Sequence, residues 1–242
     1  MTDRRTELQA NLATVHERIA TACADAGRDP AELTLVAITK FFPASDVVHL
    51  ADLGVTHVGE NKDQEAGAKV AELPDEVREL LTVHFVGQLQ SNKAGHVARY
   101  ADVVQSVDRP KIVKALDRGA GTALAEGTRH TPLEVTIQVD LGEGADAGRG
   151  GAVPADVPAL ADAVAAAEHL RLRGVMAVAP LGLDEDGTAA AFQRLADLSA
   201  RLRADHPEAT WVSAGMSGDL ETAVTHGATH LRVGTGILGE RR

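Results

Sequence analysis

The chain predicts an α/β protein built as one (β/α)8 TIM barrel with an extra N-terminal helix in front. Two observations carry this reading. Eight short apolar, β-branched segments recur along 242 residues, with helix-like segments between them. Glycines, hydroxyls and chemically active side chains then gather just past those segments, where a parallel barrel builds its site. A doubly wound open sheet is the alternative for the same alternation.

The leading helix is expected over residues 4–26, where Leu8, Leu12, Val15, Ile19 and Ala22 share one stripe and Gly27 ends it. The first strand, 33–39, is apolar and free of charge, as a strand buried on both faces requires. Lys40 follows, and Phe41-Phe42-Pro43 breaks the strand. A helix is expected from Ser45, read as its N-cap, to Leu53. The remaining strands are placed at 55–58, 82–86, 102–107, 133–139, 172–178, 210–213 and 229–233. The remaining helices are placed at 61–72, 91–99, 109–119, 156–168, 187–204 and 218–226. The glycine-rich stretch 142–151 follows the fifth strand and reads as a mobile βα loop or a plain surface connection.

Composition narrows the function. No linker or composition break divides the chain, so one domain over 1–242 is expected. A net charge of −11 argues against nucleic acid and anionic membrane surfaces as partners. No apolar run approaches the ~20 residues of a bilayer span, and the N-terminus has no secretory h-region. Cys23 is the single cysteine, which rules out an internal disulfide and reads as a small core residue. These features fit a cytoplasmic protein.

Lys40 is the first chemical signal. An amine at the C-terminal mouth of a barrel, beside apolar walls, can lose its proton by desolvation and form a Schiff base. The plainer alternative is a lysine that snorkels into water. Gly59-Glu60-Asn61 follows the second strand, and Asn61 offers both donor and acceptor. His84 begins a long polar stretch through Lys93 and by itself reads as a hydrogen-bonded core residue. Ser213-Ala214-Gly215-Met216-Ser217-Gly218-Asp219 and Arg232-Val233-Gly234-Thr235 close the last two strands, where such barrels often hold a phosphate. An aldehyde-reactive amine and a phosphate site together match the layout of pyridoxal 5′-phosphate (PLP).

The segments Val36-Ala37-Ile38-Thr39-Lys40, Gly59-Glu60-Asn61, His84-Phe85-Val86-Gly87-Gln88-Leu89-Gln90-Ser91-Asn92-Lys93, Gly215-Met216-Ser217-Gly218-Asp219 and Arg232-Val233-Gly234-Thr235 resemble the signatures of the pyridoxal phosphate homeostasis protein family. That family is itself alanine racemase N-terminal-domain-like. The resemblance runs from about residue 8 to residue 241. It implies that Lys40 carries PLP covalently and Arg232 meets the pyridine nitrogen. It also implies that Ser217, Gly234 and Thr235 hold the phosphate, with Asn61 and Met216 lining the cofactor. It implies a binding and carrier role in PLP homeostasis, with apo PLP-dependent enzymes as possible recipients and no established turnover. Two positions depart from the family pattern. Arg149 stands where a loop lysine is usual and cannot act as an acceptor amine. Asp140 stands where asparagine is common.

Turnover of the racemase type needs a second base, which the resemblance assigns to a tyrosine of a separate domain. The only tyrosine here is Tyr100, expected on or after the 91–99 helix and away from the strand ends. The leading expectation is therefore a monomeric PLP-binding protein that is not an enzyme. A PLP-dependent amino-acid racemase is the first alternative. A class I aldolase-like barrel, with the lysine attacking a sugar phosphate, is the second.

Overall fold

Eight parallel strands close on one another in strict chain order, from β1 next to β2 round to β8 next to β1. The structure is a computed structural model that describes residues 3–142 and 150–240. The strands are β1 (Thr34–Ile38), β2 (His57–Glu60), β3 (Thr82–Phe85), β4 (Val103–Val107), β5 (Leu133–Val139), β6 (Leu170–Ala177), β7 (Trp211–Ser213) and β8 (His230–Val233). The helices are α1 (Arg4–Asp25), α2 (Ala44–Asp52), α3 (Asp63–Ala71), α4 (Asp75–Leu80), α5 (Ala94–Tyr100), α6 (Pro110–Ala125), α7 (Val157–Ala165), α8 (Glu185–Asp205), α9 (Leu220–Thr225) and α10 (Thr235–Leu238). Closure removes the sheet edges and excludes the doubly wound alternative.

All eight expected strands form, and the leading helix buries its predicted stripe with Cys23 beside it. Other boundaries differ. Pro43, not Ser45, precedes α2, because its fixed φ suits the entry to a helix and leaves Ser45 inside the first turn. Helix α6 runs six residues past its expected end at 119, since Leu116, Ala120 and Ala123 continue its apolar stripe through two glycines. Two short helices were not expected. Helix α4 caps the turn before β3 and buries Val77, and α10 turns directly out of β8.

The core lies between strands and helices. Ala37, Val58, Val83, Phe85, Val104, Ile137, Val175, Val212 and Leu231 point outward into one apolar cluster with the helices. Alternate residues point inward, and there the barrel is polar. His84, Gln105, Thr136, Ser213, His230 and Arg232 are buried inside it. Barrel interiors are usually filled by branched aliphatics, so the polar filling needs a hydrogen-bonded explanation.

Candidate functional site

Parallel strands bring all their C-terminal ends to one mouth. Lys40 lies two residues past β1, Asn61 one residue past β2, and Met216 and Ser217 in the turn after β7. Arg232 is in β8, and Gly234 and Thr235 follow that strand directly. Strands β7, β8, β1 and β2 are consecutive in the barrel. The seven predicted residues therefore occupy one sector of one mouth.

The turn that carries Lys40 is tightly held. Lys69 of α3 donates to the Thr39 carbonyl at 2.8 Å and to Glu60 at 2.7 Å. Thr39 Oγ1 donates to the same Glu60 oxygen at 2.6 Å. Phe41 adopts φ 71°, a left-handed conformation unusual for an aromatic residue, and its N–H donates to Glu65. The pocket behind Lys40 is dry: Glu60 is 2% and Lys69 7% exposed. Burial raises the Glu60 carboxyl pKa, against the pull of Lys69. Lys40 itself is half-buried, with Nζ 5.9 Å from the Phe41 ring centre, and Lys62 approaches the same ring at 5.1 Å.

Asn61 is pinned from the neighbouring strand end. A Cβ on Gly87 would sit 2.0 Å from the Asn61 carbonyl oxygen, so only glycine lets the two backbones meet there. The Asn61 side-chain oxygen is buried with no donor.

Ser217 and Thr235 meet across the turns after β7 and β8. Thr235 Oγ1 donates to Ser217 Oγ at 3.2 Å, and the Gly236 N–H approaches the same oxygen at 3.3 Å. Gly215, at φ 91°, makes the first turn possible, since a Cβ there would lie 2.7 Å from that of Ala223. Asp219 accepts from the Met216 N–H at 2.6 Å and leaves the Met216 side chain exposed. Helix α1 braces both turns from outside: Arg18 donates to the Ser217 carbonyl at 3.0 Å, Asn11 to Ile237 at 2.9 Å and Arg4 to Leu238 at 3.1 Å.

Arg232 lies deeper, 4% exposed. Its Nη1 donates to Ser213 Oγ at 2.6 Å and its Nη2 to the Ala177 carbonyl at 2.7 Å. Burial pushes its pKa down to about 10, so it remains cationic at neutral pH.

Comparison with known proteins meets this geometry. The family model for the alanine racemase N-terminal domain matches residues 8–242. A pyridoxal phosphate homeostasis protein of Mycobacterium tuberculosis is 45% identical over 252 aligned positions, covering 99% of this chain and 95% of the relative. The Escherichia coli protein of that name is 34% identical, with 97% of each chain covered. The chain belongs to the pyridoxal phosphate homeostasis protein family. Among solved structures, PipY of Synechococcus elongatus with PLP bound superposes with a TM-score of 0.79 at 34% identity, covering 96% of this chain and all of that one. Alanine racemase of Corynebacterium glutamicum shares the fold alone, at 18% identity and TM-score 0.64, over 60% of its length.

Within this family member, several residues at the site escaped the sequence reading. The Glu60–Lys69 pair behind Lys40 is one; its only signal was a glutamate inside a quoted motif and a Glu65–Lys69 spacing of four. The Ser213 and Ala177 supports of Arg232 are another. A cavity of 870 Å³ opens on the opposite sector, lined by Gln88, Gln138, Asp140, Met176, Leu181 and Arg194 among others. It includes none of the seven predicted residues, but its Met176 is in register with Ser213, the acceptor of the Arg232 hydrogen bond. Asp140 accepts from the Gly142 N–H at 2.9 Å on its rim. Arg149 and most of the 142–151 loop lie outside the described residues. Tyr100 is in the helical layer, where its hydroxyl reaches Asp63 at 3.5 Å and burial raises its pKa. Among the described residues, no helix is long and apolar enough to cross a membrane and no His, Cys, Asp or Glu cluster could hold a metal.

Proposed function

We propose that this chain binds PLP as a Schiff base on Lys40 and serves PLP homeostasis or carriage without turnover. The observation that carries this reading is the shared sector itself: an amine at one edge, a paired Ser217–Thr235 hydroxyl cluster at the other, and a buried cation between them.

The residues suit that group. The orphaned acceptor of Asn61 calls for a donor such as a ligand hydroxyl. Ser217, Gly234 and Thr235 offer hydroxyl and backbone donors to a phosphate, with Met216 at the rim. Bound PLP supplies a reactive aldehyde and an electron-accepting ring. Lys40 supplies the nucleophilic amine. Arg232, a fixed cation at neutral pH, keeps a facing pyridine nitrogen from taking a proton, which weakens the ring as an electron sink. Turnover also needs a second proton-transfer group, and the Tyr100 hydroxyl is turned to Asp63. Apo PLP-dependent enzymes are the proposed recipients, and a cytoplasmic monomer is the proposed working form.

The test is an absorption spectrum before and after borohydride, with peptide mass mapping and incubation with alanine in deuterated water. A visible band that borohydride removes, a pyridoxyl adduct on Lys40 and no deuterium at the alanine Cα support the reading. Absence of any band after incubation with PLP overturns it in favour of an aldolase-like lysine. Deuterium incorporation overturns the non-enzymatic part in favour of racemase-like chemistry.

A further inference from the structure

The polar interior of the barrel forms a connected chain. Arg232 Nη1 donates to Ser213 Oγ at 2.6 Å, and Ser213 donates to Gln105 Oε1 at 2.7 Å. Gln105 Nε2 lies 2.9 Å from His84 Nδ1, and His84 Nε2 lies 2.9 Å from His57 Nδ1. An amide nitrogen can only donate, so His84 Nδ1 must accept. Burial, with His57, His230 and Arg232 around it, holds His84 well below its ordinary pKa and therefore neutral. Its single proton then sits on Nε2 and is donated to His57. Every donor points the same way, from the mouth to the floor. The chain ends at half-buried His57 in a hollow lined by His16, Thr34 and Thr56. Arg232 and Asp219 flank its upper end, and Arg173 and Asp102 its lower end.

We propose that Ser213, Gln105 and His84 form a one-directional relay that positions the Arg232 guanidinium against the pyridine nitrogen of bound PLP. The relay rests on the proposed function, and it makes these three positioning residues for the cofactor's electronics. None of them was singled out for this role by sequence pattern. The physical reason for it is satisfiability. Ser213 has one proton; once it is given to Gln105, its oxygen can only accept, and Arg232 is the donor. Reversing a single link would set like against like in a dry interior: donor on donor for the His84 tautomer, acceptor on acceptor for the Gln105 amide.

The first measurement needs no cofactor and no variant. Nitrogen-15 shifts of the imidazoles should show His84 protonated at Nε2 and bare at Nδ1. A proton on Nδ1 overturns the relay. The second uses PLP-loaded protein. The visible band of the wild type should stay constant from pH 5 to 9, because Arg232 blocks protonation of the ring nitrogen. Ser213→Ala and Gln105→Met should make that band titrate within this range and weaken PLP retention about tenfold, the scale of one hydrogen bond to a charged group. Ser213→Thr keeps the hydroxyl and should restore the flat profile. Variant bands as flat as the wild type overturn the relay while leaving PLP binding intact. A wild type without covalent PLP overturns the proposed function instead, and the imidazole shifts still decide the direction of the chain.

Discussion

Lys40 is held by its neighbours more than by contacts of its own. The preceding residue, Thr39, is bonded to Lys69 and Glu60, and the next residue, Phe41, is bonded to Glu65 in a strained conformation. The Lys40 amine itself lies 5.9 Å from the centre of the Phe41 ring. Lys40→Ala should therefore eliminate borohydride-fixable PLP while changing unfolding free energy by no more than about 0.5 kcal/mol, as for a surface substitution. Urea unfolding and intact mass after borohydride read both numbers. Retained label would remove Lys40 from its role. The position of Lys40 was legible because a charged residue ends an uncharged β-branched run. The placement of Asn61 and Ser217 at the mouth was legible because each lies in a polar motif just past a strand. Gln105 and Ser213 were not legible, because their partnership joins β4 to β7 across the barrel and depends on registers that no single segment encodes.

At the scale of elements, α3 acts as a clamp on the turn after β1. Among the described residues, its Lys69 is the only cation bonded to Glu60, whose second oxygen is already buried without a partner. Removing one member of a buried pair leaves an uncompensated charge and costs about 3–5 kcal/mol. Lys69→Met should cost that much, while Lys69→Met with Glu60→Leu should recover most of it, since an apolar replacement of both partners is often neutral. The double variant should still hold PLP more weakly than the wild type, because the Thr39 carbonyl has lost its donor. Equal retention in the wild type and the double variant would show that the clamp serves stability alone. Elements with long periodic patterns, such as α1, were readable in the sequence. Helices α4 and α10 were not, because six and four residues are too few to display a helical period. Ser45 was misplaced because a serine two residues past a proline offers a second start signal, and the ring constraint decided between them.

Across the whole molecule, a polar barrel makes acid the natural stress. Burial is the largest cause that lowers the pKa of each of His57, His84 and His230, and His230 falls to about 3. In the unfolded chain these groups protonate near their ordinary value of 6.5. Between those limits the unfolded state binds more protons than the native state, so stability rises with pH and is lost as pH falls. Each fully shifted histidine adds about 1.4 kcal/mol per pH unit to that slope. Trp211, the single tryptophan, lies 4.3 Å from His230 and reports unfolding by fluorescence. Urea titrations from pH 7 to 5 on the wild type and His230→Phe should show the variant with a smaller slope, the difference growing toward about one proton at pH 5. All groups not coupled to His230 cancel in that comparison. An unchanged slope would mean that His230 takes up a proton in the native barrel, which its Thr229 partner and the tilted Trp211 ring against it leave little room to stabilise. The same dry interior that keeps these imidazoles neutral keeps the Arg232 chain intact, so acid lability and cofactor positioning have one physical origin.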